Sequence, residues 1–178
     1  AEKLDDELAD NHFDFNSLSD NKLPSNKTLK ITDDDIGRFL EYKKGASAFL
    51  ILSFLYPNFK YDQVKFHQDH IHPAYLFSEK EMSNNGVKED NQKKYQNLRD
   101  RLPNLQLLEG IENIKKSNTP FIDWIGSTDE NKEPIFSDKK KYFSDNYMSG
   151  NHLKFEEFEV FYSEREAKMK KELIKLLV

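Results

Sequence analysis

Ile36, Phe39, Leu40, Ser47, Leu50, Ile51 and Phe54 recur at the three-or-four spacing of one helical face, which predicts core-facing helices early in the chain. Thr32 followed by Asp33, Asp34 and Asp35 marks the start, with a hydroxyl cap and carboxylates on the positive end of the helix dipole. Gly45 is expected to split the stretch into two helices, and Pro57 to end the second. Lys65 to Ile71 reads as a strand closed by Pro73, and Leu105 to Leu108 as a second short strand. Gly110 opens a helix that carries Asn113 and Lys116 and stops before Pro120. Ser78 to Arg101 is polar, with a turn at Asn84-Asn85-Gly86, and reads as an insertion carrying a short basic helix. Phe121 to Ile125 is an apolar piece with Trp124 as a core anchor, and a loop with Pro134 and Gly150 follows. Phe155, Phe158, Phe161, Tyr162, Met169, Leu173 and Leu176 then space out a long final helix, about 154–178.

The expected fold class is α+β: a mostly helical domain over 32–178 around two short strands and one helix, about 65–118. Residues 1–31 are rich in Asn, Asp, Ser and Lys and read as a polar linker or irregular arm. The first residue is Ala, which invites the reading of a processed chain or of a domain excised from a longer one. The 178 residues suffice for one core. Mean hydropathy is low at -0.86, but fourteen Phe and eight Tyr compensate by burying large areas. No run reaches the ~18 apolar residues of a membrane span. The absence of cysteine excludes disulfides and thiolate zinc sites and suits a reducing cytoplasm.

A net charge of -5 runs against a nucleic-acid binder, but distribution matters more than the sum. Basic groups at Lys93-Lys94, Arg99 with Arg101, and Lys115-Lys116 lie close in sequence to the polar ends of the strands. Lys139-Lys140-Lys141 reads as a solvated face ahead of a DNA contact.

The chemistry concentrates in Asp69-His70-Ile71-His72-Pro73, Asn104-Leu105-Gln106-Leu107-Leu108 and Asn113-Ile114-Lys115-Lys116. Asp69 and Asn113 offer oxygen ligands suited to Mg²⁺ or Mn²⁺, and two protein ligands leave room for water and phosphate oxygens. His70 has the side chain to take a proton from water near neutral pH. Lys116 lies one turn beyond Asn113, on the face where a phosphate would sit, and Lys115 is a peripheral backbone contact or solvated. In a regular strand Asp69 and His70 point to opposite faces, so one shared site requires the strand to bend or end there. His67 and His72 are accessory candidates, with strand or surface roles the better reading. Arg165 reads as an ion-pair partner of the final helix's Glu residues ahead of a phosphate contact.

These motifs resemble the HNH (ββα-metal) nuclease superfamily, and more narrowly the C-terminal nuclease domain of GmrSD-type modification-dependent restriction proteins. The likeness rests on Leu52 through Phe77, on the Asn104 and Asn113 motifs, and on a final helix carrying Arg165. The resemblance implies a metal-dependent endonuclease acting on DNA, with Asp69 and Asn113 as metal ligands and His70 as the general base. It also implies that Asn104 braces the loop between the strands through backbone hydrogen bonds. The nine-residue gap from Asn104 to Asn113 resembles that of the HNH domains of RNA-guided nucleases, and Asn113 stands where the wider superfamily often has His. Relatives usually carry an N-terminal nucleotide-dependent domain with an Asp-Gly-Gln-Gln-Arg motif, which does not occur in this chain. The alternative from another class is a non-catalytic nucleic-acid-binding or interaction module with a nuclease-like fold.

Overall fold

The computed structural model describes residues 30–178, so the expected N-terminal arm lies almost wholly outside the described residues. Thr32 caps α1 (Asp33–Leu40) as its sequence predicts: its hydroxyl accepts from Asp35 N–H while the Asp35 carboxylate accepts from Thr32 N–H. Gly45, at φ 155°, opens α2 (Ala46–Leu55) in a conformation that favours glycine. The core face of α2 differs from the expected stripe. Ala48, Ile51, Leu52 and Leu55 are buried, whereas Leu50 and Phe54 are exposed. The helix is apolar almost all round, so spacing alone could not fix its rotation, and the break at Gly45 resets the phase carried over from α1.

Two strands, β1 (Phe66–His70) and β2 (Leu105–Glu109), pair antiparallel with Asp69 opposite Gln106 and His70 opposite Leu105. The fold is α+β, with α5 (Gly110–Lys116) following β2 directly and packing on both strands. Between the strands run α3 (Glu79–Asn84) and α4 (Glu89–Leu98). This segment is not a detachable insertion. Met82, Val87 and Tyr95 are buried in the core, which a mainly polar stretch needs only three well-placed apolar residues to achieve.

After α6 (Phe121–Ile125), the expected loop contains a helix, α7 (Lys139–Asp145), capped by the Asp138 carboxylate on Lys141 N–H at 2.9 Å. The final helix α8 (Phe158–Leu177) follows a 3-10 turn at Phe155–Glu157. Its first half packs into a cluster with Phe77, Tyr95 and Phe121, and its second half joins α1, α2 and β2 through Met169 and Leu173. Leu176, expected in that stripe, is exposed in the last turn. No helix among the described residues is long and apolar enough to cross a membrane.

Candidate active site

The antiparallel register puts the Asp69 and Gln106 side chains on the same face of the strand pair. Gln106 is fully buried. Its amide nitrogen donates to Asp69 Oδ2 at 3.0 Å and its amide oxygen accepts the Tyr142 hydroxyl at 2.9 Å. Lys116 reaches the same carboxylate oxygen from α5, Nζ to Oδ2 2.8 Å, and also donates to the His70 carbonyl at 2.8 Å. Asp69 Oδ2 is thus held from two sides. Oδ1 has no hydrogen-bond partner among the described residues and is not sealed from solvent. Asn113, one turn before Lys116, is partly buried and its amide is similarly unengaged among the described residues. His67 lies beside the start of α5, since a Cβ on Gly110 would stand 3.7 Å from its Nε2.

Lys116 departs from the expectation. Its side chain has no exposed surface, and its ammonium is held by Asp69 and the His70 carbonyl instead of projecting toward a phosphate. Burial pushes its pKa down and the Asp69 charge opposes that, so the pair is a buried charge matched by its counter-charge. Lys115, by contrast, is exposed.

β1 ends at His70, the condition under which Asp69 and His70 can serve one site, and the His70 ring is directed to a different set of partners. Its Nε2 lies 2.8 Å from Asp100 Oδ1. Asp100 is gripped by Arg99, whose Nε donates to Oδ1 at 3.0 Å and Nη2 to Oδ2 at 2.6 Å. Burial lowers the His70 pKa, the Asp100 hydrogen bond opposes that, and the Lys44 charge adds to the lowering. The Asp69 charge also acts on His70, so the two motif residues are electrostatically coupled although their partners differ. On the same side, Gln68 pins the backbone of Gly45 through both its N–H and its carbonyl, each at 3.0 Å.

Asn104 occupies the position the resemblance implies. It is fully buried, accepts from His72 N–H at 3.0 Å, and donates to the carbonyls of His72 and Arg99 at 3.2 and 2.8 Å. It therefore locks the segment after β1 to the segment before β2. His72 lies in the core with its ring against Phe121, Phe155, Phe158 and Phe161, and burial pushes its pKa down to about 3. That placement removes it from any metal or phosphate role. Arg165 is also fully buried and pairs with none of the helix's Glu residues. Its guanidinium donates to the carbonyls of Leu102, Pro103, Leu105 and Asn146 and to the Tyr56 hydroxyl, fixing the approach to β2. A planar fork with five donors suits clustered carbonyls as well as it suits carboxylates.

Sequence reasoning missed Asp100 and Gln106. Asp100 was hidden between Arg99 and Arg101, a stretch that reads as a basic group. Gln106 did leave a signal, since one polar residue amid Leu105, Leu107 and Leu108 must find a partner when buried. For a cation, the free oxygens are Asp69 Oδ1 and the Asn113 amide; no group of three or more His, Cys, Asp or Glu side chains is placed to hold a metal ion among the described residues. Two oxygen donors with water completing the shell fit magnesium or manganese and do not fit a four-ligand structural zinc.

No curated protein matches the chain. A family model described as the C-terminal domain of GmrSD restriction endonucleases matches residues 26–174, a span that takes in both strands, α5 and nearly all of α8. The chain thus belongs to the family of GmrSD restriction endonuclease C-terminal domains.

Proposed function

We propose that this domain is a metal-dependent HNH endonuclease that hydrolyses DNA phosphodiester bonds as the nuclease part of a restriction system. The observation that carries the reading is the state of the Asp69 carboxylate: one oxygen is fixed by Gln106 and Lys116, and the other is left open beside the helix that bears Asn113. Asp69 and Asn113 would hold Mg²⁺ or Mn²⁺, with His67 as an accessory ligand. The bound cation would supply charge neutralisation at the scissile phosphate and the departing oxygen. His70 takes a proton from water, whose oxygen then bonds to phosphorus. The bond to the 3′ oxygen breaks, and that oxygen leaves with the electron pair and is protonated by solvent. Asn104 acts indirectly by holding the backbone on either side of the site. Lys116 stabilises the Asp69 carboxylate, and the exposed Lys115 is left for the nucleic-acid backbone.

The family's description as a C-terminal domain supports an N-terminal partner domain; that this domain is nucleotide-dependent and that both act in the cytoplasm are part of the same proposal. One observation favours a second reading. The Lys116 ammonium already neutralises Asp69, as it would in a non-catalytic nucleic-acid-binding module with a nuclease-like fold. A panel of plain DNA, base-modified DNA and RNA incubated with Mg²⁺ or Mn²⁺ separates the two. The nuclease reading expects cutting of DNA that chelator abolishes and that Asp69→Ala lacks. Metal-free binding without cutting of any substrate would establish the binding module instead.

A further inference from the structure

Asp100 is the hydrogen-bond partner of His70, and it is held more firmly than an exposed ion pair requires. Its backbone carbonyl accepts from Lys44 N–H at 2.8 Å, and the carbonyl of its neighbour Arg99 accepts from the buried amide of Asn104 at 2.8 Å. The same Asn104 that locks the end of β1 therefore also locks the turn that presents Asp100. Within that frame the carboxylate stands between the His70 ring on one side and the Arg99 fork on the other.

The Arg99 fork keeps Asp100 ionised, holding its carboxyl below the usual range, and the His70 hydrogen bond adds to this. An ionised carboxylate has no proton to give, so the proton in the 2.8 Å contact belongs to Nε2 of His70. A neutral imidazole carries one N–H. The lone pair then lies on Nδ1, which has no partner among the described residues and is not sealed from solvent. We propose that Asp100, clamped by Arg99, is the positioning residue that fixes His70 as the Nε2–H tautomer and leaves Nδ1 as its open, proton-accepting atom.

The catalytic consequence rests on the nuclease reading; the tautomer does not. Asp100→Asn removes one acceptor oxygen, and Arg99 competes for the one that remains. Long-range proton–nitrogen correlation on ¹⁵N-labelled protein, at a pH above the titration of the ring, reads the His70 tautomer without substrate. The expected result is Nε2–H in the wild type and a mixed or reversed tautomer in Asp100→Asn, with the backbone amide spectrum otherwise retained. On a cleavable DNA, the variant should lose roughly 10²–10⁴-fold in kcat with KM little changed, by analogy with an orienting Asp behind a catalytic His. Asp100→Glu should recover part of the loss. Nδ1–H on His70 in the wild type, or an unchanged tautomer in Asp100→Asn, overturns the proposal. A chain with the expected tautomer that cuts nothing sinks the nuclease reading and leaves this one standing.

Discussion

His72 is two residues from the candidate base, yet its environment is wholly different. Its ring touches four phenylalanines, its Nε2 is buried without a partner among the described residues, and the charge that reaches it is that of Lys116. Both the burial and that positive charge oppose protonation, so the folded pKa falls to about 3 from an ordinary 6.5. Between these values the unfolded chain binds the proton and the folded chain does not, so stability falls as the pH drops through that window. The slope from this one group approaches 1.4 kcal/mol per pH unit. His72→Phe should therefore flatten the loss of stability between pH 6.5 and 3, as read by urea unfolding across that range; an unchanged slope would contradict the burial argument. The residue types of the candidate site were legible in the sequence because Asp69, His70, Asn104 and Asn113 form ordered motifs. Their directions were not. Whether Lys116 faces a phosphate or Asp69, and whether Arg165 meets Glu or carbonyls, depends on burial that spacing does not encode.

At the scale of elements, the strand pair and α5 carry the candidate site, and the cross-strand pair of Asp69 and Gln106 is its centre. Gln106 couples that carboxylate to the Tyr142 hydroxyl at the middle of α7, so a helix read as loop from the sequence supports a proposed ligand from behind. Outer hydrogen bonds of this kind typically hold 10–100-fold in metal affinity. Gln106→Leu keeps much of the volume and removes the amide. It should weaken Mn²⁺ binding by roughly that factor in calorimetric titration while the far-ultraviolet dichroism is unchanged. Equal affinity would mean that Gln106 supports the fold alone. The strands and α5 were readable because turn residues and apolar runs bound them. The phase of α2 and the existence of α7 were not, the first because its apolar residues encircle the helix and the second because α7 buries no residue of its own.

For the whole molecule, α8 joins two core clusters and, through Arg165, fixes the turn from which β2 starts. The site therefore rests on a scaffold that spans most of the described chain. The charge of -5 coexists with a rim of exposed lysines, Lys43, Lys44 and Lys115, none of which makes an ion pair among the described residues. Lys44 is also the cation whose charge acts on His70. Each phosphate contact contributes about 0.7–0.9 to the slope of log affinity against log salt. Lys44→Ala should then weaken DNA binding and lower that slope by nearly one, whereas replacing an exposed lysine of α8, such as Lys170, should leave it unchanged. Fluorescence anisotropy over a salt series reads both. An identical slope in the two variants would place the nucleic acid elsewhere.

The most direct measurement is cleavage of plain and base-modified DNA by the wild type beside His70→Ala, each with Mg²⁺ or Mn²⁺ and matched for folding. The wild type is expected to cut and His70→Ala to cut nothing, with DNA binding retained by both. Equal cutting by the two proteins would contradict this and move the chemistry away from β1.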